Sequence, residues 1–225
     1  MSVPEQPLPP APDEARGAFG DRFELAQRYA ELLAGPGVER GLIGPREAPR
    51  LWERHLLNCV GLATLVPHGA TVADLGSGAG LPGLVLGLSR PDCDVTLVEP
   101  LLRRTTFLSE VVEDLGLTNV EVFRGRAEDL HGRRQFDVVT ARALAPLNRL
   151  LGWSMPLVGP GGELLAMKGS SAAEEIEAAG PVLRRLGCGD PHQVAVSGTT
   201  VVRVSWGPSA QRRGPGRSGP KKKGK

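Results

Sequence analysis

The sequence of 225 residues has little cysteine and no long apolar run. No stretch approaches the ~18 consecutive apolar residues that a transmembrane helix needs. The first residues show no basic segment followed by an apolar one, so we expect no secretory signal. The three cysteines, Cys59, Cys93 and Cys188, are far apart and form no CxxC motif. The sequence therefore indicates a reduced, cytoplasmic protein without a zinc site.

Positive charge is concentrated at the C-terminal end, although the net charge is only +2. Residues 208–225 hold seven basic side chains and no acidic one, which leaves −5 for residues 1–207. This tail is rich in Gly, Pro and Ser, and such a composition does not fold alone. We predict a disordered tail that either binds RNA phosphates or only keeps the protein in solution. Residues 1–20 are rich in proline and are predicted to be disordered as well.

Two helices are predicted in residues 21–67, where they form an N-terminal extension. In residues 21–35, apolar side chains recur at helical spacing, and the Gly-Pro-Gly sequence at 35–37 predicts the end of that helix. Residues 45–67 keep a helical periodicity over a longer stretch, which predicts a second helix.

Residues 68–207 alternate between strand and helix patterns, beginning with the strand "TVADL". Seven segments have the pattern of strands, and the last two are predicted to form an antiparallel pair. A helix over residues 171–187 is predicted to break near Gly180-Pro181. Such alternation predicts an α/β fold, namely a doubly wound Rossmann-like domain with a mostly parallel, seven-stranded sheet.

The stretch "VADLGSGAGLPG" follows the first strand, at the edge where a parallel sheet binds its ligands. Read from Gly78, its glycines match the G-x-G-x-x-G fingerprint of dinucleotide-binding domains. Read from Asp74, it matches the acid-x-G-x-G-x-G loop of S-adenosylmethionine (SAM) methyltransferases. In dinucleotide-binding domains the pattern starts at the first glycine after the strand, which here is Gly76. Read from Gly76, the third glycine of the pattern would have to stand at position 81, which is occupied by Leu81, so the dinucleotide pattern fails. An acid also suits the cationic SAM better than a pyrophosphate, so a class I SAM-dependent methyltransferase is favoured over a dinucleotide site or a structural turn.

Acidic residues after the next two strands support the same pocket. Glu99 ends the second strand, 23 residues after Gly76, where a carboxylate accepts hydrogen bonds from ribose hydroxyls. The segment "GRAEDL" follows the third strand, in the loop that faces the adenine in this fold class, and it contains Glu128 and Asp129. A solvated acidic turn is the alternative interpretation of these two residues.

Several segments, in this order and spacing, resemble the family of ribosomal RNA small subunit methyltransferase G, also called glucose-inhibited division protein B. They are "ERHLLNCV", "DLGSGAGLPGLVLGLSRPD", "VEPLLRRTTFL", "GRAEDL", "FDVVTARALAPL" and "LLAMKG". The resemblance covers roughly residues 20–206 and leaves both terminal segments outside it. The segments "GPGVERGLIGPRE" and "EPLLRR" are similar to the corresponding segments in the actinobacterial branch of this family.

The resemblance implies transfer of a methyl group from SAM to N7 of one guanine in 16S rRNA, within the small ribosomal subunit. The SAM contacts that it implies are Gly76, Leu81, Ala127, Glu128 and Arg142. To these the glycine-loop pattern and the second strand add Asp74, Gly78 and Glu99. Asn58 stands where many members of the family have an acid, so we assign no catalytic carboxylate there.

This chemistry makes modest demands on the protein. Guanine N7 carries a lone pair and no proton, so its attack on a methyl group needs no general base. We therefore expect no catalytic residue and no metal, only a pocket that orients the reactants and tolerates positive charge. N7 lies on the edge of guanine that faces the major groove. In paired RNA this groove is too deep and narrow for side chains to read, so we expect the target base to be unpaired or flipped out.

Three basic side chains are candidates for contact with the RNA. They are Arg142 after the fourth strand, Lys168 at the end of the fifth strand and His55 on the second helix. A salt-bridged loop residue, a solvated strand end and a packed helical histidine are the respective alternatives. Arg103 and Arg104 open a helix whose dipole opposes their charge, which also points to a ligand, with a solvated pair as the alternative.

Two other functions are compatible with the same fold. One is a non-catalytic RNA- or ribosome-binding protein, which the intact glycine loop and Glu99 argue against. The other is a small-molecule methyltransferase, which the basic tail argues against weakly. Nothing in the sequence requires an oligomer, and we expect a monomer without a membrane partner.

Overall fold

A computed structural model of the protein describes residues 8–208. Residues 1–7 and nearly all of the predicted basic tail lie outside the described residues. The strands are β1 (Thr71–Leu75), β2 (Asp94–Glu99), β3 (Val120–Arg124), β4 (Phe136–Arg142), β5 (Val158–Lys168), β6 (His192–Val196) and β7 (Thr199–Ser205). The α-helices are α1 (Asp13–Phe19), α2 (Phe23–Leu32), α3 (Asn58–Ala63), α4 (Gly83–Ser89), α5 (Leu102–Asp114), α6 (Leu147–Ser154) and α7 (Ala172–Leu186).

One seven-stranded sheet forms the centre of the molecule, in the order β3-β2-β1-β4-β5-β7-β6. The first five strands pair in parallel, whereas β7 runs antiparallel to both of its neighbours. Most inner strands are apolar because helices cover both faces of the sheet, and β1 is buried from Val72 to Leu75. The predicted doubly wound fold, its strand count and its closing antiparallel pair are confirmed.

Alternate residues of the strands face two separate cores, one on each side of the sheet. Val72 and Val138 belong to a core that contains the N-terminal helices together with α4 and α5. Ala73 and Val139 belong to the other core, which contains α6 and α7. The N-terminal helices are therefore packed into one of the two cores of the sheet domain.

The predicted disorder of residues 1–20 is wrong for α1, because apolar packing orders that segment. Ala15 and Phe19 are buried, and the Phe19 ring meets Trp52 edge-on at a centroid distance of 6.5 Å. The predicted stop at residues 35–37 is wrong as well. The chain continues beyond α2 as a π-helical turn, Leu33–Gly37, in which Leu33 and Gly37 are buried.

The other two helix predictions need smaller corrections. The long helix predicted over residues 45–67 is irregular, with a 3₁₀ turn at Ala48–Arg50 and a π-helical segment at Leu51–Leu57 before α3. The break predicted near Gly180-Pro181 does not occur, because α7 continues through Pro181. Pro181 is exposed, so the carbonyl that loses its donor there faces water, while the opposite side of the helix stays packed.

Within residues 8–208, no helix combines the length and the apolar character that crossing a bilayer requires. The same part of the chain contains no cluster of three or more His, Cys, Asp or Glu side chains placed to hold a metal ion.

Candidate active site

A glycine loop leaves the carboxyl end of β1 and leads into α4. Gly76, Gly78 and Gly80 have φ values of +68°, +60° and +102°, a region that side chains disfavour. The Gly80 amide donates to the Ser77 carbonyl over 2.7 Å, and the Gly76 amide donates to the Val98 carbonyl of β2 over 2.8 Å. The loop is therefore a tight turn held against the neighbouring strand.

Asp74 closes this loop from below. Its side chain is fully buried, and Oδ2 accepts a hydrogen bond from the Gly83 amide over 3.0 Å. Oδ1 is buried and has no partner among the residues that the structure describes. Burial raises the pKa of this carboxyl to about 6, against a smaller lowering by the nearby Ser77 hydroxyl and by the Gly83 amide. Asp74 lines neither of the two cavities described below.

Glu99 at the end of β2 joins the glycine loop to α5. One carboxylate oxygen, Oε2, accepts from the Gly78 amide over 3.1 Å and from Arg104 Nη1 over 3.3 Å. The other oxygen, Oε1, accepts from the Leu101 amide over 3.1 Å. A carboxylate has about four acceptor positions, so a ribose hydroxyl would use the last one or replace Arg104.

A cavity of about 200 Å³ lies beyond the ends of β1, β2 and β3. We call it the glycine-loop cavity. Gly76, Ala127 and Glu128, all of them predicted SAM contacts, are among the residues that line it. Leu144 covers its glycine side, since a Cβ built on Gly76 would lie 2.5 Å from Leu144 Cδ1.

A larger cleft of about 850 Å³ lies beyond the ends of β4 and β5. We call it the basic cleft, because Arg54, His55, Arg142 and Lys168 all line it. The three predicted RNA contacts are therefore brought together, although they come from widely separated segments. Leu144 lines this cleft as well as the glycine-loop cavity, so the two spaces adjoin at one side chain.

His55 is partly buried and is held by one carboxylate. Its Nε2 lies 3.0 Å from Glu47 Oε2, while the buried Nδ1 has no partner among the described residues. Burial lowers the pKa of this imidazole, and the nearby charge of Arg142 lowers it further. A neutral histidine is therefore favoured at the wall of the basic cleft.

The ammonium group of Lys168 is already bound to two groups of the protein itself. Its ammonium group donates to the Ala145 carbonyl over 2.6 Å and lies 2.8 Å from Glu175 Oε2. The same Glu175 oxygen accepts from the Leu147 amide over 2.7 Å. This arrangement fixes the loop between β4 and α6, which forms one wall of the basic cleft.

Arg142 ends β4 and is half-buried in the basic cleft. Across residues 8–208, its guanidinium group makes no hydrogen bond or ion pair with another side chain or carbonyl. The next residue, Ala143, has a φ of +51°, which costs energy for any residue with a Cβ. This strained residue directly precedes Leu144.

Tyr29 is a site residue that the sequence patterns did not reveal. Its hydroxyl is buried and donates to the Ala79 carbonyl of the glycine loop over 2.8 Å. The contact joins α2 to a loop 50 residues away. The available signal was composition, since this is the one tyrosine in the sequence and it sits on the apolar face of a helix. Leu144 and Glu175 were missed in the same way.

Comparison with known proteins assigns the chain to a family. The family model of rRNA small subunit methyltransferase G (GidB) matches residues 22–192. Ribosomal RNA small subunit methyltransferase G from Nocardioides sp. is 67% identical over 205 residues, covering 88% of this chain and 82% of that protein. The protein of the same name from Streptomyces avermitilis is 58% identical, covering 90% of this chain and 88% of the relative.

Solved structures support the fold alone, because their sequences are far less similar. A ribosomal protein L11 methylase from Lactobacillus delbrueckii subsp. bulgaricus is 17% identical, with a TM-score of 0.53 over 67% of this chain and 77% of the other. TYW2 from P. horikoshii, solved with MeSAdo, is 13% identical, with a TM-score of 0.54 over 67% of this chain and 61% of the other. The resemblance read from the sequence is confirmed: the chain belongs to the rRNA small subunit methyltransferase G family.

Proposed function

We propose that the protein transfers a methyl group from SAM to N7 of one guanine in the 16S rRNA of the small ribosomal subunit. Membership of the family supports the reaction and the substrate. The geometry on which the proposal rests is that the glycine-loop cavity and the basic cleft adjoin at Leu144. A cofactor in the first space and a nucleotide in the second would meet at this side chain.

The residues around the glycine loop fit SAM. Asp74 Oδ1 is buried without a partner in the described part of the chain, which suits a site for a cationic ligand. A Cβ on Gly78 would meet nothing closer than the Gly76 carbonyl at 3.8 Å, which leaves room for a ligand against the backbone. When bound, SAM supplies the activated methyl group. We assign its binding to Asp74, Gly76, Gly78, Leu81, Glu99, Ala127, Glu128 and Arg142.

The protein itself contributes orientation and charge balance. No side chain has to remove a proton, because guanine N7 bears a lone pair and no hydrogen. The walls of the two adjoining spaces hold the reactants in line and limit the approach of water. His55, favoured as neutral by its lowered pKa, adds no positive charge beside a cationic product.

Arg142 is the best placed of the three candidates to contact the RNA. Its guanidinium group lacks a partner in residues 8–208 and is free to bind a phosphate or the guanine O6. Lys168 can reach the RNA only by giving up Ala145 and Glu175. The basic cleft is open to one edge of the sheet, so we expect the target base to enter it unpaired or flipped.

We also propose that the protein acts in the cytoplasm as a monomer. A ribosomal subunit as substrate supports that location, and both cavities are formed within one chain, which supports the oligomeric state. The seven basic side chains of residues 208–225 support a contact between the tail and RNA.

The proposal is tested by transfer of a labelled methyl group from SAM to small subunits taken from cells that lack this gene. We expect one modified nucleoside, 7-methylguanosine, in 16S rRNA. SAM binding without transfer to subunits or to naked rRNA would contradict the proposal. Transfer to small acceptors would then favour a small-molecule enzyme, and RNA binding alone would favour a non-catalytic protein.

A pair of glycine variants makes the test specific for the cofactor site. Gly78 has a φ of +60° and Gly69 a φ of +66°, and neither has a close neighbour at the position of an added Cβ. Gly78→Leu and Gly69→Leu therefore impose similar backbone strain, but Gly69 precedes β1 at the opposite edge of the sheet. We expect Gly78→Leu to abolish SAM binding and transfer, and Gly69→Leu to keep both.

A further inference from the structure

Two of the most exposed large apolar side chains lie beside the cofactor edge but outside both cavities. Leu101 is 51% exposed and Leu102 is 61% exposed, at the start of α5. Only Pro100 separates them from Glu99, so they sit at the carboxyl end of β2. Neither lines the glycine-loop cavity or the basic cleft. Their exposure is therefore not explained by the site described above.

Three exposed arginines lie at the same carboxyl ends of β2 and β3 as these leucines. Arg103 lies in the first turn of α5, Arg124 is the last residue of β3, and Arg126 follows two residues later. Arg124 is in register with Glu99 on the neighbouring strand, about 5 Å away across the sheet. We call Leu101, Leu102, Arg103, Arg124 and Arg126 the arginine surface.

The positive charge of this surface is not neutralised by ion pairs. Arg103, Arg124 and Arg126 are exposed, and none forms an ion pair with a carboxylate in the described part of the chain. Two acids at the ends of β2 and β3 are bonded to other groups. Glu99 is paired with Arg104, and Asp129 accepts from the Arg126 backbone amide. Arg103 also lies near the N-terminus of α5, where the helix dipole repels its positive charge. A bound anion would offset this repulsion.

The location of this surface matches the path that an RNA strand would take. The basic cleft lies beyond β4 and β5, and the arginine surface lies beyond β2 and β3. The glycine-loop cavity lies beyond β1, β2 and β3, and Arg126 lines it, so the arginine surface borders this cavity on the side away from β4. An RNA strand with its target base in the cleft would thus meet positive charge on both sides of the cofactor.

We propose that the arginine surface binds the phosphates of the rRNA strand that flanks the target guanine, while Leu101 and Leu102 pack against its unpaired bases. The proposal rests on the proposed function, since it takes RNA as the substrate. Arginine at exposed sites binds phosphates through charge-assisted hydrogen bonds, and apolar side chains can pack against the faces of unstacked bases.

The test is the double variant Arg103→Gln/Arg124→Gln. Arg126 is left unchanged, because it also lines the glycine-loop cavity. The control is Arg184→Gln/Arg185→Gln, which removes the same charge from the last turn of α7, at the opposite edge of the sheet. The measurements are methyl transfer to unmodified small subunits, binding to 16S rRNA against salt concentration, and binding of SAM alone.

We expect the test variant to raise the KM for subunits at least fivefold while kcat changes less than twofold. The log–log dependence of RNA binding on salt should become shallower by about 1.4, because single-stranded RNA contributes about 0.7 per phosphate contact. The Kd for SAM and the Tm should stay at their wild-type values.

Two results would overturn the inference. One is a KM and a salt slope equal to those of the control variant, which would make these arginines ordinary surface charges. The other is a rise in the Kd for SAM that accounts for the loss of activity, which would assign them to the cofactor. A wild-type protein that transfers no methyl group to subunits would instead refute the proposed function, so the two failures are distinguishable.

Discussion

Replacement of Tyr29 by phenylalanine removes one buried hydroxyl that joins the N-terminal helices to the glycine loop. The hydroxyl donates to the Ala79 carbonyl over 2.8 Å, and the side chain is fully buried. Phenylalanine keeps the ring but leaves the carbonyl oxygen without its donor, which costs about 1–3 kcal/mol. In a protein of this size, we expect the Tm to fall by about 2–4 °C for each kcal/mol.

The same replacement should weaken the binding of SAM, because Ala79 lies between Gly78 and Gly80 in the loop. A loss of about 1 kcal/mol from the binding-competent loop raises the Kd about fivefold, since each 1.4 kcal/mol corresponds to about tenfold. Isothermal titration calorimetry with SAM measures this change directly, and thermal unfolding of the ligand-free protein measures the change in stability.

Phe19→Leu is the matched control for Tyr29→Phe. Phe19 is buried in the same helical layer, where its ring packs against Trp52, and it has no polar group to offer the loop. This variant should lower the Tm and leave the Kd for SAM unchanged. A Tyr29→Phe protein that behaves in the same way, with a lower Tm and a wild-type Kd, would refute the reasoning, because the hydroxyl would then serve the fold alone.

Three further predictions follow from the geometry of the site. The pKa of Asp74 is raised to about 6 from 3.8, so its contribution to the stability of the ligand-free protein is present below pH 3.8 and is lost as the pH rises through 6. Urea unfolding should show the wild type losing about 3 kcal/mol relative to Asp74→Asn over this range, and a constant difference would contradict the assignment. Leu144→Ala should slow single-turnover methyl transfer severalfold, because this side chain separates the two cavities. The Tm should shift little, because the side chain is 38% exposed. An unchanged rate would exclude Leu144 from the site. Glu175→Gln leaves the nearly buried Lys168 without its counter-charge and should destabilise the fold by about 3 kcal/mol, measured by urea unfolding against Glu174→Gln on the same helix.

The sheet could be predicted from the sequence because its strands are short apolar runs bounded by turn residues. The segment "TVADL" coincides with β1, and the glycine loop follows it as the pattern indicates. Helix ends were harder to predict, since glycine and proline are local signals that packing can outweigh. Leu33 and Gly37 are buried, and this burial carries the chain through a Gly-Pro-Gly sequence.

The site could be predicted only where its residues lie close to a motif. Gly76, Ala127 and Glu128 follow strand ends and do line the glycine-loop cavity. Tyr29 and Glu175 act through contacts with segments 50 and 28 residues away, and no local pattern encodes such distances. The sequence predicts that Lys168 ends the fifth strand, where it does lie, but its pairing with Glu175 depends on how α7 packs against the loop after β4.

The shared core of the N-terminal helices and the sheet has a consequence for genetics and for engineering. Residues 21–67 cannot be exchanged between relatives as an independent module, because their apolar side chains and those of α4 and α5 fill the same space. Loss-of-function alleles should therefore map to these helices as well as to the glycine loop. An allele at Tyr29 would be classified as a cofactor-binding defect, although the residue precedes the cofactor motif by more than forty positions.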